Sequence, residues 1–245
     1  MKQITIDIET ASDENIKDCG VYRYAESECF DLLLVSYAVD NGPVATCDIA
    51  NGETLSDDVR NALTDKTVIK KAFHVNFERI CLSVYLRRRY PEMLDFKDST
   101  GSYLDPVSWQ CDMIHCRYLG MLSSLDDVGR LLRLKEKKMA EGKELIRFFC
   151  TLHQEADGSI LFHDKSDAPK KWEKFKAYNR RDVEVELKIQ RYLSEFPVSE
   201  FVWEEFYIDQ EINDRGILVD TSFAKKAVEL DGQVKKALLP KLKEL

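Results

Sequence analysis

The sequence predicts an α/β fold: a mixed sheet flanked by helices, followed by a helical extension. Three observations carry that reading. Short segments rich in β-formers crowd the first fifty residues and are separated by turn signals. Helical and strand-like patterns then alternate, and after residue 124 the helical patterns dominate.

The first segment, Ile4–Glu9, alternates isoleucine with polar residues. Successive strand side chains point to opposite faces, so Ile4, Ile6 and Ile8 share one face and the acids Asp7 and Glu9 the other. Either that second face meets water or something positive sits on it. Leu32–Val39 and Val44–Ile49 read as two further strands around the turn Asp40-Asn41-Gly42-Pro43. Leu55–Leu63 reads as a helix with Ser56 at its start, and Thr67–Phe73 as a strand. Helical patterns follow at Asn76–Arg89 (stopped by Pro91), Ser124–Leu134, Lys138–Phe149, Lys170–Leu193 and Val198–Asp214, with another from Thr221. The polar stretches at Ala156–Gly158 and Asp164–Pro169 read as surface loops. Pro197 suggests a domain edge near residue 196.

Composition narrows the function classes. The chain has 245 residues, 44% of them hydrophobic, and a net charge of −8. It is an ordinary globular composition, with no run of about 20 apolar residues for a membrane span. The acidic balance argues against nucleic-acid binding by bulk charge, but it leaves room for an acidic site that holds cations. The seven cysteines are scattered and read as reduced thiols of a cytosolic protein. Cys111 and Cys116 have a zinc-like spacing, but no second pair follows. The basic runs Arg87–Arg89 and Lys170–Arg181 taken alone read as solvated helix faces.

Three places depart from this background. In the helix Lys170–Leu193 the stripe Phe175, Tyr178, Asp182, Val185, Ile189, Tyr192 keeps a core-facing period, with a carboxylate in its middle. A buried carboxylate is costly unless it is paired or holds a metal; a salt bridge to an arginine is the bland alternative. In "AFHVNFERICL", His74 and Glu78 are spaced i,i+4, and Glu78 shares a helix face with Cys81, Leu82 and Tyr85. A first-turn acid favoured by the helix dipole would explain Glu78 equally well in isolation. The third place is the Asp7-x-Glu9 strand.

In order and spacing, D-x-E on a first strand, an acid opening a mid-chain helix and Y-x-x-x-D on a late helix resemble the DnaQ-like (DEDD) 3′–5′ exonucleases, tyrosine branch. That resemblance implies an RNase H-like fold with a mixed five-stranded sheet. It further implies two Mg²⁺ or Mn²⁺ ions held by Asp7, Glu9, Glu78 and Asp182, with Tyr178 orienting the attacking water. The chemistry is coherent. Two cations about 4 Å apart stabilise the attacking and leaving oxygens of a phosphodiester. These ions take hard carboxylate oxygens, and four converging carboxylates without cations would repel. Two departures stand out. Glu78 is one methylene longer than the family's aspartate, and His74 stands where that motif usually has asparagine. Asp112, Asp126 and Asp127 are alternative acids.

The blocks "AFHVNFERICLS", "YLGMLSSLDDVGRLLRL", "EGKELIRFF", "KWEKFKAYNRRDVEVE" and "WEEFYIDQEINDRGILVD" look like consecutive stretches of phage and prophage family-A DNA polymerases. The resemblance implies a proofreading exonuclease domain over 1–196 and, over 197–245, a helical extension like the start of a polymerase thumb. It implies a chain that removes nucleotides from DNA 3′ ends in a bacterial or phage-infected cytoplasm. The palm and fingers are absent, so no nucleotide addition is expected, and the missing polymerase portion is an expected partner. A single-stranded 3′ end would be held by His74, Phe77, Lys174 and Arg181, with Lys170, Lys171, Arg180 and Tyr103 as further candidates. Two other readings compete: a catalytically weakened nucleic-acid-binding module of the same fold, and a standalone exoribonuclease.

Overall fold

The computed structural model describes residues 1–93, 103–122, 124–135, 139, 141–154 and 158–243. Strand β1 (Gln3–Ala11) occupies the centre of a five-stranded sheet, with β2 (Asp31–Val39) and β3 (Val44–Asp48) on one side. On the other side lie β4 (Ile69–Ala72) and β5 (Trp109–Cys111), giving the order β3-β2-β1-β4-β5. The β1–β2 and β2–β3 pairs are antiparallel, and β1–β4 and β4–β5 are parallel. This is the mixed, RNase H-like arrangement expected. The β2–β3 turn is tight because Asp40 and Asn41 both take positive φ (48° and 60°), the twist that suits a two-strand turn.

The isoleucine face of β1 packs on α1 (Ile16–Glu26) and α3 (Val75–Arg89), in a core with Tyr24, Ile80, Cys81 and Val84. The opposite face meets α7 (Pro169–Leu193). Two of the smaller cores buttress α7 against other helices. One joins it to α6 (Gly142–Phe149) through Leu145, Phe149, Trp172 and Phe175. The other joins it to α4 (Asp112–Tyr118) and α5 (Leu125–Leu131) through Cys116, Val128, Val185 and Ile189. The helix α2 (Asp57–Thr64) is capped by Ser56, whose side chain accepts from the Val59 N–H.

Several expectations change. The helix α1 was not foreseen: Asn15 caps it, but Gly20, at φ +75°, breaks it in the middle and erases a regular stripe. Strand β5 and α4 were also missed, being three and seven residues long. Tyr192 is exposed, and Leu193 takes the buried end of the α7 stripe instead. The predicted helix start at Lys138 and the loop position Ala156 lie outside the described residues.

One compact unit runs from Met1 to Asp214, so α8 (Glu200–Arg215) belongs to it almost entirely, whereas the sequence placed an edge at 196. The reason is a buried ion pair. Arg79 of α3 donates from both terminal nitrogens to Asp214, at 2.7 Å each, and also to the Leu104 carbonyl; Tyr22 donates to the same carboxylate at 2.7 Å. Both charged side chains are fully buried. Pro197 therefore punctuates a connection within the unit. Residues 215–245 form a second unit built on α9 (Thr221–Lys243), in which Phe223, Val228 and Leu230 are exposed. No helix among the described residues is long and apolar enough to cross a membrane.

Candidate active site

The pairing of β1 fixes the first two acids. Asp7 lies opposite Ser36 and Glu9 opposite Leu34; the register then slips, so that Thr10 faces Leu32. The extra residue is Leu33 of β2, opposite the Glu9–Thr10 step; bulges of this kind commonly re-aim side chains beside a site. Glu9 is buried and Asp7 half-buried, on the face turned toward α7. From α7, Asn179 donates its amide to Asp7 Oδ2 at 2.6 Å, and Gln190 accepts from Thr5 at 3.1 Å. These contacts register the helix on the strand.

Along α7 the buried stripe carries Tyr178, Asp182 and Glu186. Burial, and then the charges of Glu9, Asp182 and Asp7, push the Tyr178 phenol far above its usual pKa, and it is hydrogen-bonded to Asp182. Its ring stacks parallel to Phe175 at a centroid distance of 6.4 Å. On the other side Gly142 opens α6 so close that a Cβ there would lie 2.3 Å from the Tyr178 ring.

The fourth element is α3. Strand β4 ends at Ala72, and Glu78 sits in the opening turns of the helix, with its side chain buried. Desolvation, and then the Asp7 charge, raise its carboxyl well above the usual range. Its Oε2 has no hydrogen-bond partner among the described residues. A buried carboxylate oxygen left unmatched is costly, so the position suits a proton or a cation.

The structure therefore brings Asp7, Glu9, Glu78, Tyr178 and Asp182 into one neighbourhood, linked by mutual fields and by the Tyr178–Asp182 bond. Among the described residues no three His, Cys, Asp or Glu side chains stand in a ready cation-holding group. The donor chemistry still fits Mg²⁺ or Mn²⁺, being all hard oxygen, with the buried Glu78 Oε2 among the oxygens left unmatched.

A second acid pair adjoins this one. Asp112, named only as an alternative, and Glu186, not named, are both buried and hydrogen-bonded to each other; Gln190 donates to both, at 2.6 and 3.3 Å. Burial, and then the Asp112 charge, raise the Glu186 carboxyl well above its usual range, and burial raises Asp112 as well. Its i+4 spacing from Asp182 was the available signal. Asn179 gave none, since amides are common on helices. Of the other alternative acids, Asp126 pairs with Arg130 and Asp127 accepts from Ser124 at a helix start.

The proposed strand-holding residues are more dispersed. His74 is exposed at the start of α3; crowding around its ring, then the Arg117 charge, hold its pKa down. Phe77 is half-buried, 6.1 Å from the Tyr24 ring. Lys174 is exposed on α7, and Arg181 pairs with Glu184 at 3.2 Å, as a surface charge would. Tyr103 donates to Glu26, which occupies its hydroxyl. The seven cysteines are free thiols.

Over 247 residues the chain is 38% identical to the DNA polymerase of Bacillus phage SP02, an alignment that takes in all of this chain and 36% of that polymerase. The chain thus spans about a third of the length of the curated relative it matches. No family model matches it. Among solved structures, one described as the apo form of the nuclease covers 87% of this chain and 83% of its own, at 14% identity and a TM-score of 0.47. Brucella melitensis NrnC covers 87% and 84%, at 13% identity and a TM-score of 0.48.

Proposed function

We propose that this chain, related along its whole length to part of a phage DNA polymerase, is a metal-dependent 3′–5′ exonuclease that trims DNA 3′ ends as a proofreading portion. The observation that carries the reading is the meeting of Asp7, Glu9, Glu78, Asp182 and Tyr178 beside the register slip between β1 and β2, with a buried Glu78 oxygen left unmatched.

Asp7, Glu9, Glu78 and Asp182 would hold two Mg²⁺ or Mn²⁺ ions. When bound, these ions supply charge stabilisation at the phosphate and a more acidic water. The chain's own groups do the rest. The Tyr178 phenol stays protonated at neutral pH, so it serves as a hydrogen-bond donor that orients water rather than as a base. Glu78 must give up any proton it carries before it can act as a ligand, which makes metal loading weaken in acid. The stacked Phe175 and the abutting Gly142 hold the phenol in place. His74, Phe77, Lys174 and Arg181 remain the proposed contacts to a single-stranded 3′ end.

The test uses the 245-residue chain with 5′-labelled single strands of DNA and, in parallel, RNA, with Mg²⁺ or Mn²⁺. A ladder shortened from the 3′ end, preferring DNA and lost when Asp7 and Glu9 are both replaced by alanine, is the expected result. Undiminished shortening in the double variant would reject the site, and a preference for RNA would favour the exoribonuclease reading. A second reading has its own support in the longer acid at 78, the histidine at 74 and the lack of a ready cation-holding group among the described residues. Under it the chain is a weakened module that binds nucleic acid and divalent ions without cutting.

A further inference from the structure

Asn179 follows Tyr178 on α7 and is completely buried. Its Nδ2 donates to Asp7 Oδ2 at 2.6 Å, bridging the helix to the central strand. The reverse orientation of the amide would press its oxygen on a carboxylate oxygen, so the donor must face Asp7. Its Oδ1 is then left buried with no hydrogen-bond partner among the described residues. Two polar atoms of one side chain thus have different fates. One is committed to an acid of the proposed site, and the other is stranded in the same neighbourhood.

We propose that Asn179 is a positioning residue of the cation site: its amide nitrogen fixes the Asp7 carboxylate, and its amide oxygen serves a divalent cation or that cation's water. This inference rests on the metal-dependent reading above and adds a neutral oxygen to its four acids. The division of labour follows from charge. Asp7 has oxygens to aim at a cation, and a neutral donor behind one of them restrains the group without competing for the metal. A lysine or arginine there would neutralise the acid and lower the attraction for a cation. A buried amide oxygen is as hard a donor as a backbone carbonyl and suits Mg²⁺ or Mn²⁺ without adding repulsion to a crowded set of carboxylates.

The experiment measures Mn²⁺ binding to the full chain by calorimetry or by the spin resonance of free Mn²⁺, together with melting temperature with and without the ion. Asn179→Leu keeps the volume and removes both polar atoms. Loss of a group that orients a metal ligand typically costs about 10- to 100-fold in affinity, and that is the expected weakening. In a background already carrying Asp7→Ala, Asn179→Leu should add less than this, because much of its effect passes through Asp7. Asn179→Asp is nearly isosteric and guards against a variant that fails to fold. It places a second charge against Asp7, so it should melt lower without metal and gain more from Mn²⁺ than the parent does. Parental affinity in Asn179→Leu, or no larger Mn²⁺ gain in Asn179→Asp, would overturn this inference while leaving the four-acid site standing. A parent that binds no Mn²⁺ at all would overturn the metal-dependent reading and this inference with it.

Discussion

Gly142→Ala is the smallest change that should reach the chemistry without touching a charged group. Alanine at the start of a helix ordinarily helps, by up to about 1 kcal/mol over glycine. Here the new methyl would lie 2.3, 2.8 and 2.9 Å from three carbons of the Tyr178 ring. Carbons rest in contact at about 3.5–4.0 Å, so the ring or the helix must give by roughly 1 Å. The ring has little room to recede: Tyr178 is 2% exposed and stacks on Phe175, which in turn packs on Phe149 and Trp172. Moving α6 instead would pull Leu145 and Phe149 from the same core. Overpacking of this kind costs about 1–3 kcal/mol, which outweighs the helix gain.

The kinetic consequence is larger than the thermodynamic one. A displacement near 1 Å of a group that orients a reactant costs up to about 100-fold, whereas losing the phenol hydroxyl altogether in Tyr178→Phe is expected to cost about tenfold or more. Cleavage of a labelled 3′ end and urea unfolding, each on both single variants and on the double variant, separate the possibilities. If Gly142 acts by placing the hydroxyl, Gly142→Ala should slow the parent but add little to Tyr178→Phe. A Gly142→Ala chain that is more stable than the parent and cuts at the parental rate would refute the reasoning. Equal losses in both backgrounds would place the effect elsewhere than the hydroxyl.

Other expectations follow from the same contacts. If Glu78 is a working ligand, Glu78→Ala should cost far more metal-dependent cleavage than Glu78→Asp; parental rates in both would move the role to another acid. Asp214→Ala leaves Arg79 as an unmatched buried charge, so unfolding free energy should fall by about 3–5 kcal/mol, and a loss below about 1 kcal/mol would mean that water reaches the arginine. Glu186 has a folded-state pKa raised above its unfolded value, so its contribution to stability is present below pH ~4.3 and is lost as pH rises through the raised value. Glu186→Gln, which can still donate to Asp112, should therefore flatten that decline and raise stability at neutral pH without metal, as pH-dependent denaturation would show. With a primed template and nucleotides, the 245-residue chain should shorten the primer and not extend it; template-directed extension would overturn the reading of these residues as an isolated exonuclease portion.

Much of the fold was legible because its signals are local and periodic. The alternation of Ile4, Ile6 and Ile8 with polar residues fixed both faces of the central strand before any partner was known. The α7 stripe likewise pointed inward, with Asp182 out of place among apolar residues. What stayed hidden depends on distant partners. Nothing local marks Arg79 for burial, because its partner Asp214 lies 135 positions away. Without that pair the α8 sequence reads as the opening of a separate domain. Strand β5 is three residues long and holds its place only by pairing with β4. Glycine-broken α1 kept no period to read.

The two departures from the exonuclease pattern bear differently on the proposed chemistry. His74 is exposed, and its side chain makes no capping bond at the start of α3. It does not stand in for an asparagine that steadies the site. The amide that reaches the acids is on another element, Asn179 of α7, bonded to Asp7. The change at 78 is of another kind. A longer acid could have turned outward to water, as first-turn carboxylates usually do, and its burial would then have no purpose. Instead Glu78 is 5% exposed, with Asp7 as the strongest charge acting on it. Burying a carboxyl against a like charge is unfavourable in every state except two: protonated, or shared with a cation. Acidity distinguishes them. Adding Mn²⁺ to the parent should release protons into a weakly buffered solution, and Glu78→Gln should release fewer. Equal release from both would mean that Glu78 keeps its proton when the metal binds, and the longer acid would then be a neutral wall of the site.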